Sequence, residues 1–266
     1  MGISVMARFA ANISMLFTEY SFLERFSKAA QAGFNAVEFT FPYEYDAILL
    51  KQQLDANNLT QALFNAPPGN WSEGERGLAC LADRTVEFIT GVELACEYAQ
   101  VLGNHYIHVM AGVKPDDVGS EAVRSCYVNN IRAAAKIAAK YDISILIEPI
   151  NNVDMPGYFL NYPAQAIDII DEVNEDNVGL QFDFYHCQMM QGNVVTTFEK
   201  YFNYIKHVQI AGVPGRHEPN VGELNYDYVL DRLDKMAFQG VVGCEYKPLG
   251  QTEQGLGWLK SAKSGR

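Results

Sequence analysis

Strand-like and helix-like stretches alternate eight times along the 266 residues, each short apolar run being followed by a longer stretch whose apolar residues recur at helical spacing. The runs lie at 8–13, 34–39, 59–65, 106–110, 143–148, 178–183, 207–210 and 241–245; the helical stretches lie at 22–32, 46–57, 83–102, 120–140, 163–173, 195–203, 226–236 and 252–260. Gly33 and Gly103 stand where two of these helices should stop, because glycine accepts the left-handed backbone that ends a helix. A helix after every strand carries the chain back to the same end of the sheet, which forces the strands to run parallel. Eight such units in about 250 residues match a closed (β/α)8 barrel. Residues 1–266 are therefore expected to form a single barrel domain, since no Pro/Gly/Ser-rich linker or charge block divides them. A doubly wound open sheet is the alternative, but no glycine-rich nucleotide turn follows the first run, as that fold would need. The long loop after the third run, with Pro67, Pro68, Gly69, Asn70 and Trp71, is expected to be a lid over a site, because long structureless loops in compact domains usually have a role.

Alternate residues of a barrel strand face the interior and the surrounding helices. In the fifth run Ile143, Ile145 and Ile147 share one face, and Ser144, Leu146 and Glu148 the other. Val178, Leu180 and Phe182 oppose Gly179, Gln181 and Asp183; Val208 and Ile210 oppose His207 and Gln209; Val242 and Cys244 oppose Gly243 and Glu245. The apolar faces must meet the helices, so the polar faces point inward. The same parity sends Asn12, Glu38, Asn65 and His108 inward from the first four runs. Every strand then brings a polar group to the carboxyl-end mouth, where barrel enzymes hold their active sites.

Glu148, Asp183, Gln209 and Glu245 would place three carboxylates and an amide together, and such a set cannot stay ionised without a cation or shared protons. All-oxygen donors suit Mg²⁺ or Mn²⁺ better than a structural zinc; salt bridges at the strand ends are the plainer alternative. His186, three residues past Asp183 and beyond the strand, can donate to a substrate oxygen or orient a ligand. His108 is a second candidate for substrate contact, whereas His207 sits deeper and is expected to be structural. Arg216, in the Pro214–Pro219 loop, can meet an anionic head by paired hydrogen bonds. Lys247 can reach the same region or pair with an acid, and Phe17, Phe41, Tyr43 and Trp71 fall in loops over the mouth, where they would exclude water or bind another subunit. Two glutamates about a metal suit an aldose–ketose isomerisation: the metal polarises a carbonyl and its neighbouring hydroxyl, one glutamate removes a carbon-bound proton, and the other returns one to the adjacent carbon.

Composition narrows the rest. A formal charge of −12 disfavours nucleic acid and anionic membranes as partners, because both are bound through clustered Lys and Arg. No apolar run approaches the span of a bilayer, and Met1–Met6 lacks the basic and apolar regions of a leader, so a cytoplasmic protein is expected. The five cysteines are odd in number and widely spaced, which fits buried thiols.

The segments Arg8–Phe17, Gly33–Phe34 with Val37–Phe39, Phe41-Pro42-Tyr43, Gly74-Glu75-Arg76-Gly77, Ile147-Glu148-Pro149-Ile150-Asn151, His207–Ala211, Gly222–Tyr226 and Gly243–Pro248 closely resemble the hydroxypyruvate isomerase family, within the xylose-isomerase-like TIM barrels. The resemblance covers nearly the whole chain. It implies Glu148 and Glu245 as the proton-transfer pair and Glu148, Asp183, Gln209 and Glu245 as metal ligands, the same set that parity reaches; related sugar epimerases carry histidine where Gln209 stands. His186 matches their substrate-binding histidine, and Arg216 loosely matches their arginine. The substrate implied is a small anionic hydroxy-oxo acid, and a homo-oligomer is possible. Two activities lie close together: interconversion of hydroxypyruvate and tartronate semialdehyde, which leads, and isomerisation of 2-oxo-tetronates, which the segments 62–69, 108–112 and 216–219 resemble somewhat more. The alternatives are a ketose 3-epimerase, which should show contacts for a longer substrate; a three-zinc barrel endonuclease, which needs more histidines than the five present and a basic face; and a non-catalytic binding barrel.

Overall fold

The computed structural model describes residues 8–263, so the Met1–Met6 stretch considered above as a leader lies outside the described residues. Eight strands pair in chain order, all parallel: β1 (Arg8–Asn12), β2 (Ala36–Glu38), β3 (Thr60–Asn65), β4 (Tyr106–His108), β5 (Ser144–Ile147), β6 (Val178–Asp183), β7 (Ile205–Ile210) and β8 (Val241–Cys244). Strand β8 pairs back onto β1 and closes the barrel. The helices are α1 (Phe22–Gln31), α2 (Ala47–Ala56), α3 (Thr85–Leu102), α4 (Ser120–Ala138), α5 (Pro163–Val173), α6 (Phe184–Met190), α7 (Val194–Lys200), α8 (Tyr226–Lys235), α9 (Thr252–Gly255) and α10 (Gly257–Lys263). Local signals set their ends. The Asp46 side chain accepts from the Ile48 and Leu49 N–H groups to start α2, and α3 stops at Gly103 with φ 70°, a left-handed conformation that costs glycine little.

The main core lies between barrel and helices. Val37, Phe39, Phe64, Ile145, Ile147, Leu180, Phe182, Val208, Ile210 and Val242 are all buried in it, each from the face that parity turns outward. Inside the barrel floor, Ala10, Ala36 and Ala62 pack with Val241. Above them lies a polar layer. Glu38 Oε2 meets His207 Nε2 at 2.7 Å, and Glu38 Oε1 accepts from Gln209 Nε2 at 2.8 Å and Asn12 Nδ2 at 3.1 Å. Gln181 Nε2 donates to Gln209 Oε1 at 2.7 Å. A Cβ on Gly243 would come within 2.3 Å of Glu38 Oε2, so β8 leaves out a side chain where the carboxylate lies.

Parity holds when counted from the carboxyl ends of the strands and fails farther back. The β2/β3 register slips so that Val37 faces Gln61 and Glu38 faces Leu63, which leaves Ala62 as an inserted residue. The β6/β7 register slips likewise, with Leu180 facing Ile205 and Gln181 facing His207. An extra residue in one strand of a pair reverses which side chains face inward before it. Both slips lie on the floor side of the polar layer, so the mouth keeps the predicted set.

His186 lies beyond the strand, in a helix, because α6 starts directly after Asp183. Two expectations are corrected. The final helix is broken between α9 and α10. Phe17 is fully buried with its ring edge-on to Phe34, and Tyr43 is half-buried against Phe64 and Tyr98, so the first is core and the second packs on the core rather than forming an exposed surface. Trp71 alone of the four is exposed, at 41%, with the Arg76 guanidinium 4.0 Å from its ring centre and Phe41 beside it. At the closing seam, Trp258 lies edge-on to Phe9 of β1 and donates from Nε1 to the Tyr246 hydroxyl just beyond β8. All five cysteines are free thiols. Among the described residues no helix is long and apolar enough to cross a membrane.

Candidate active site

The carboxyl ends of β5, β6 and β8 deliver Glu148, Asp183 and Glu245 to one cluster at the mouth of the barrel. Together with His186 they offer ligand atoms that all lie within 4.8 Å of one another. Asp183 ends β6 and caps α6: its Oδ1 accepts from the Tyr185 N–H at 2.7 Å. That division leaves Oδ2 for the cavity, 3.6 Å from His186 Nε2 and 3.7 Å from Arg216 Nη2. Glu245 Oε1 accepts from Asn12 Nδ2 at 3.1 Å, and its Oε2 is paired with Arg216 Nη2. Arg216 has a left-handed backbone at φ 57°, its carbonyl accepts from the Lys247 N–H at 2.6 Å, and its guanidinium lies 5.2 Å from the Tyr185 ring centre. The loop thus holds the cation at one spot.

Burial raises the carboxyls. Glu148 is pushed well up by burial and then by the neighbouring Glu245 and Asp183 charges. Burial lifts Glu245 to about 8 and Asp183 to about 6, although Arg216 pulls both down. Arg216 itself is lowered by burial, but Glu245, Asp183 and Glu148 outweigh this and raise it overall. Burial also depresses the histidines, His108 to about 3 and His186 well below its usual range. In the metal-free mouth burial therefore favours a proton on Glu148 and Glu245 and the neutral form of His108 and His186.

The other expected site residues occupy distinct places. His108 Nδ1 is 3.7 Å from Glu148 Oε2. Gln209 faces inward, with its amide engaged at both ends by Gln181 and Glu38 in the polar layer beneath the carboxylates. Asn65 is half-buried beside His108 in the β3/β4 register, and its carbonyl accepts from the Tyr43 hydroxyl at 2.7 Å. Lys247 is exposed and meets the Arg216 loop through its main chain. Asn151, Asp154 and Tyr185 were not singled out: Asn151 Nδ2 contacts both His186 Nδ1 and Asp154 Oδ2, and the Tyr185 hydroxyl donates to Asp154 Oδ2. The Asn-x-x-Asp spacing of a side-chain turn is the signal that could have found the first two.

The donor set fits a divalent cation. Three carboxylates face one guanidinium, so ionising all three leaves charge uncompensated. Glu148 Oε1 and Asp183 Oδ2 are buried without a hydrogen-bond partner, and an unpaired buried carboxylate oxygen is costly unless a cation or a ligand proton meets it. Arg216 contacts the same Glu245 and Asp183 oxygens, so it competes with a metal for them.

A pH profile of stability follows. A carboxyl whose folded pKa is raised contributes stability that is fully present below its unfolded pKa and is lost as pH rises through the folded one. The carboxyls therefore make the metal-free protein less stable as pH climbs toward about 8. The depressed histidines act oppositely and cost stability below their usual pKa of 6.5. Thermal melting of the metal-free protein should thus show Tm rising by a few degrees as pH falls from 8 to about 6.5 and levelling below that, where the two depressed histidines offset most of the gain from the three raised carboxyls. Mn²⁺ should flatten the upper limb, since ligands must ionise to bind it. A metal-free Tm that climbs with pH above 6.5 would contradict the raised carboxyls.

Residues 26–262 match the family described as Xylose isomerase-like TIM barrel. The chain is 52% identical to the 2-oxo-tetronate isomerase of Cupriavidus necator over 96% of this chain and 98% of that one. It is 48% identical to the hydroxypyruvate isomerase of Escherichia coli, over 96% and 98%. A Brucella melitensis crystal structure described as an AP endonuclease, family 2, superposes with a TM-score of 0.94 at 45% identity, covering 96% of this chain and 99% of that one. The chain belongs to the xylose isomerase-like TIM barrel family.

Proposed function

We propose that this protein is an intramolecular oxidoreductase that interconverts hydroxypyruvate and tartronate semialdehyde. The observation that carries this reading is the Glu148–Glu245 pair, two carboxyls in one cluster, with Glu148 raised well above its ordinary value by burial and Glu245 lifted to about 8. Such groups can take a proton and give one back at working pH. One glutamate removes a proton from the hydroxymethyl carbon of hydroxypyruvate, the electron pair forms an enediolate, the hydroxyl proton passes from the hydroxymethyl oxygen to the former carbonyl oxygen, and the other glutamate protonates the former carbonyl carbon. Arg216 meets the substrate carboxylate, with His186, His108 and Asn65 as further contacts and Lys247 at the rim. A Mg²⁺ or Mn²⁺ ion held by Glu148, Asp183, Glu245 and Gln209 would polarise the carbonyl and its neighbouring hydroxyl oxygen. We place the protein in the cytoplasm and leave room for a homo-oligomer.

A second reading, isomerisation of a four-carbon 2-oxo-tetronate, is favoured by the 52% identity to the Cupriavidus necator protein against 48% to the Escherichia coli one. It uses the same proton transfer. An endonuclease reading, prompted by the Brucella melitensis structure, is set against a net charge of −12, which repels phosphate. Proton NMR in D₂O with Mg²⁺ or Mn²⁺, offering hydroxypyruvate and a 2-oxo-tetronate separately, tests the assignment. Faster conversion of hydroxypyruvate with deuterium entering at carbon supports the lead reading. Preference for the four-carbon acid moves the protein to the second, and no exchange with either removes both.

A further inference from the structure

His186 falls inside the four-group cluster, yet an imidazole coordinates a cation only through a nitrogen without a proton, so its tautomer decides what it can do. The Asn151 side chain settles the question. Its Oδ1 accepts from the Val153 N–H at 3.1 Å and the Asp154 N–H at 2.8 Å. Its Nδ2 therefore points the other way, 3.0 Å from Asp154 Oδ2 and 2.6 Å from His186 Nδ1. Flipping the amide would set its NH₂ against two backbone N–H groups and its oxygen against a carboxylate, so three contacts fix one orientation. The Asn151 backbone N–H also points at His186 Nδ1, at 3.4 Å. Donors approach this nitrogen from both groups, and it can only accept.

We propose that Asn151, fully buried at the β5 side of the mouth, is a positioning residue that locks His186 as the Nε2–H tautomer. His186 then gives the cavity a hydrogen-bond donor and has no lone pair for a cation. Its Nε2 lies 3.4 Å from Arg216 Nη2. Two donors cannot bond to each other, so this pair is arranged to face one acceptor oxygen: Asp183 Oδ2 lies 3.6 and 3.7 Å from the two nitrogens, beyond hydrogen-bond length, and an oxyacid oxygen can approach the same pair more closely. This role deepens the hydroxy-oxo acid reading of the site and rests on it for the identity of that oxygen.

The test is a long-range ¹H–¹⁵N correlation spectrum of the substrate-free, full-length ¹⁵N-labelled protein, with H186N used to identify the His186 signals. The expected spectrum has Nδ1 unprotonated and Nε2 protonated, and in N151D, where a carboxylate oxygen replaces the amide nitrogen, Nδ1 gains a proton. A protonated Nδ1 in the unsubstituted protein overturns the inference. So does an unchanged Nδ1 in folded N151D, because a residue that only built the turn would leave the ring alone. If N151D does not fold, the unsubstituted spectrum still decides the tautomer. Because no substrate is present, the expected spectrum in a protein that fails the D₂O assay would sink the proposed reaction and leave the tautomer lock standing.

Discussion

Glu148→Gln and Glu245→Gln should each lower turnover by about a thousandfold or more while leaving the protein folded, the size expected when a positioned acid or base is removed. The carboxamide keeps the shape but cannot exchange a proton at any working pH. The two variants should differ in ways that turnover alone does not show. Glu148 has a buried oxygen with no partner and sits among like charges, so its neutral replacement is expected to raise the Tm of the metal-free protein. Glu245 is paired with Arg216 and receives Asn12, so its replacement leaves a buried guanidinium poorly compensated and gains less. In D₂O, whichever variant still exchanges the carbon-bound hydrogen of hydroxypyruvate without isomerising it has lost the group that delivers the second proton. Either variant retaining a tenth of the original turnover would rule that glutamate out of the pair.

Arg216→Met should reduce kcat/KM by about a hundredfold or more, most of it as a higher KM, since a buried charge-assisted contact to an anion is worth several kcal/mol once desolvated. Arg216→Lys should recover little, because an ammonium cannot reproduce the planar fork or the contact with the Tyr185 face. Removing the guanidinium also takes the resident cation from the Asp183 and Glu245 oxygens. Titration calorimetry should therefore show tighter Mn²⁺ binding in Arg216→Met than in the unsubstituted protein, although the substrate binds more weakly. An unchanged KM would mean that Arg216 serves the carboxylates alone.

Strand ends were the legible part of this chain. Glu148, Asp183 and Glu245 are found together because a period-two pattern needs only the last few residues of each strand to show which side chains enter the mouth. The inserted residues in β3 and β7 left no such trace, since a one-residue slip is set by how neighbouring strands pair, and Ala62 and Lys206 look like any other strand residue. Helix α6 was hidden for a different reason. Phe184–Met190 is too short to display helical spacing, and an acid at the end of a strand signals chemistry even where, as at Asp183, it is also a cap. Asn151 escaped notice because its importance comes from contact with His186, 35 residues farther along the chain. Phe17 and Tyr43 show the opposite error: aromatics in connecting segments looked like surface, but Tyr43 spends its hydroxyl on the Asn65 carbonyl and its ring on the core.

The clasp of Trp258 on Phe9 and Tyr246 gives the protein a built-in optical gauge. The chain has two tryptophans, one exposed in the loop after β3 and one astride the joint between the first and last strands. In Trp71→Phe the remaining emission comes from that joint alone, so its colour follows whether the ring of strands is shut. In Trp258→Phe the remaining emission comes from Trp71, whose exposed ring lies against Arg76 and Phe41, so it follows the loop after β3 rather than the joint.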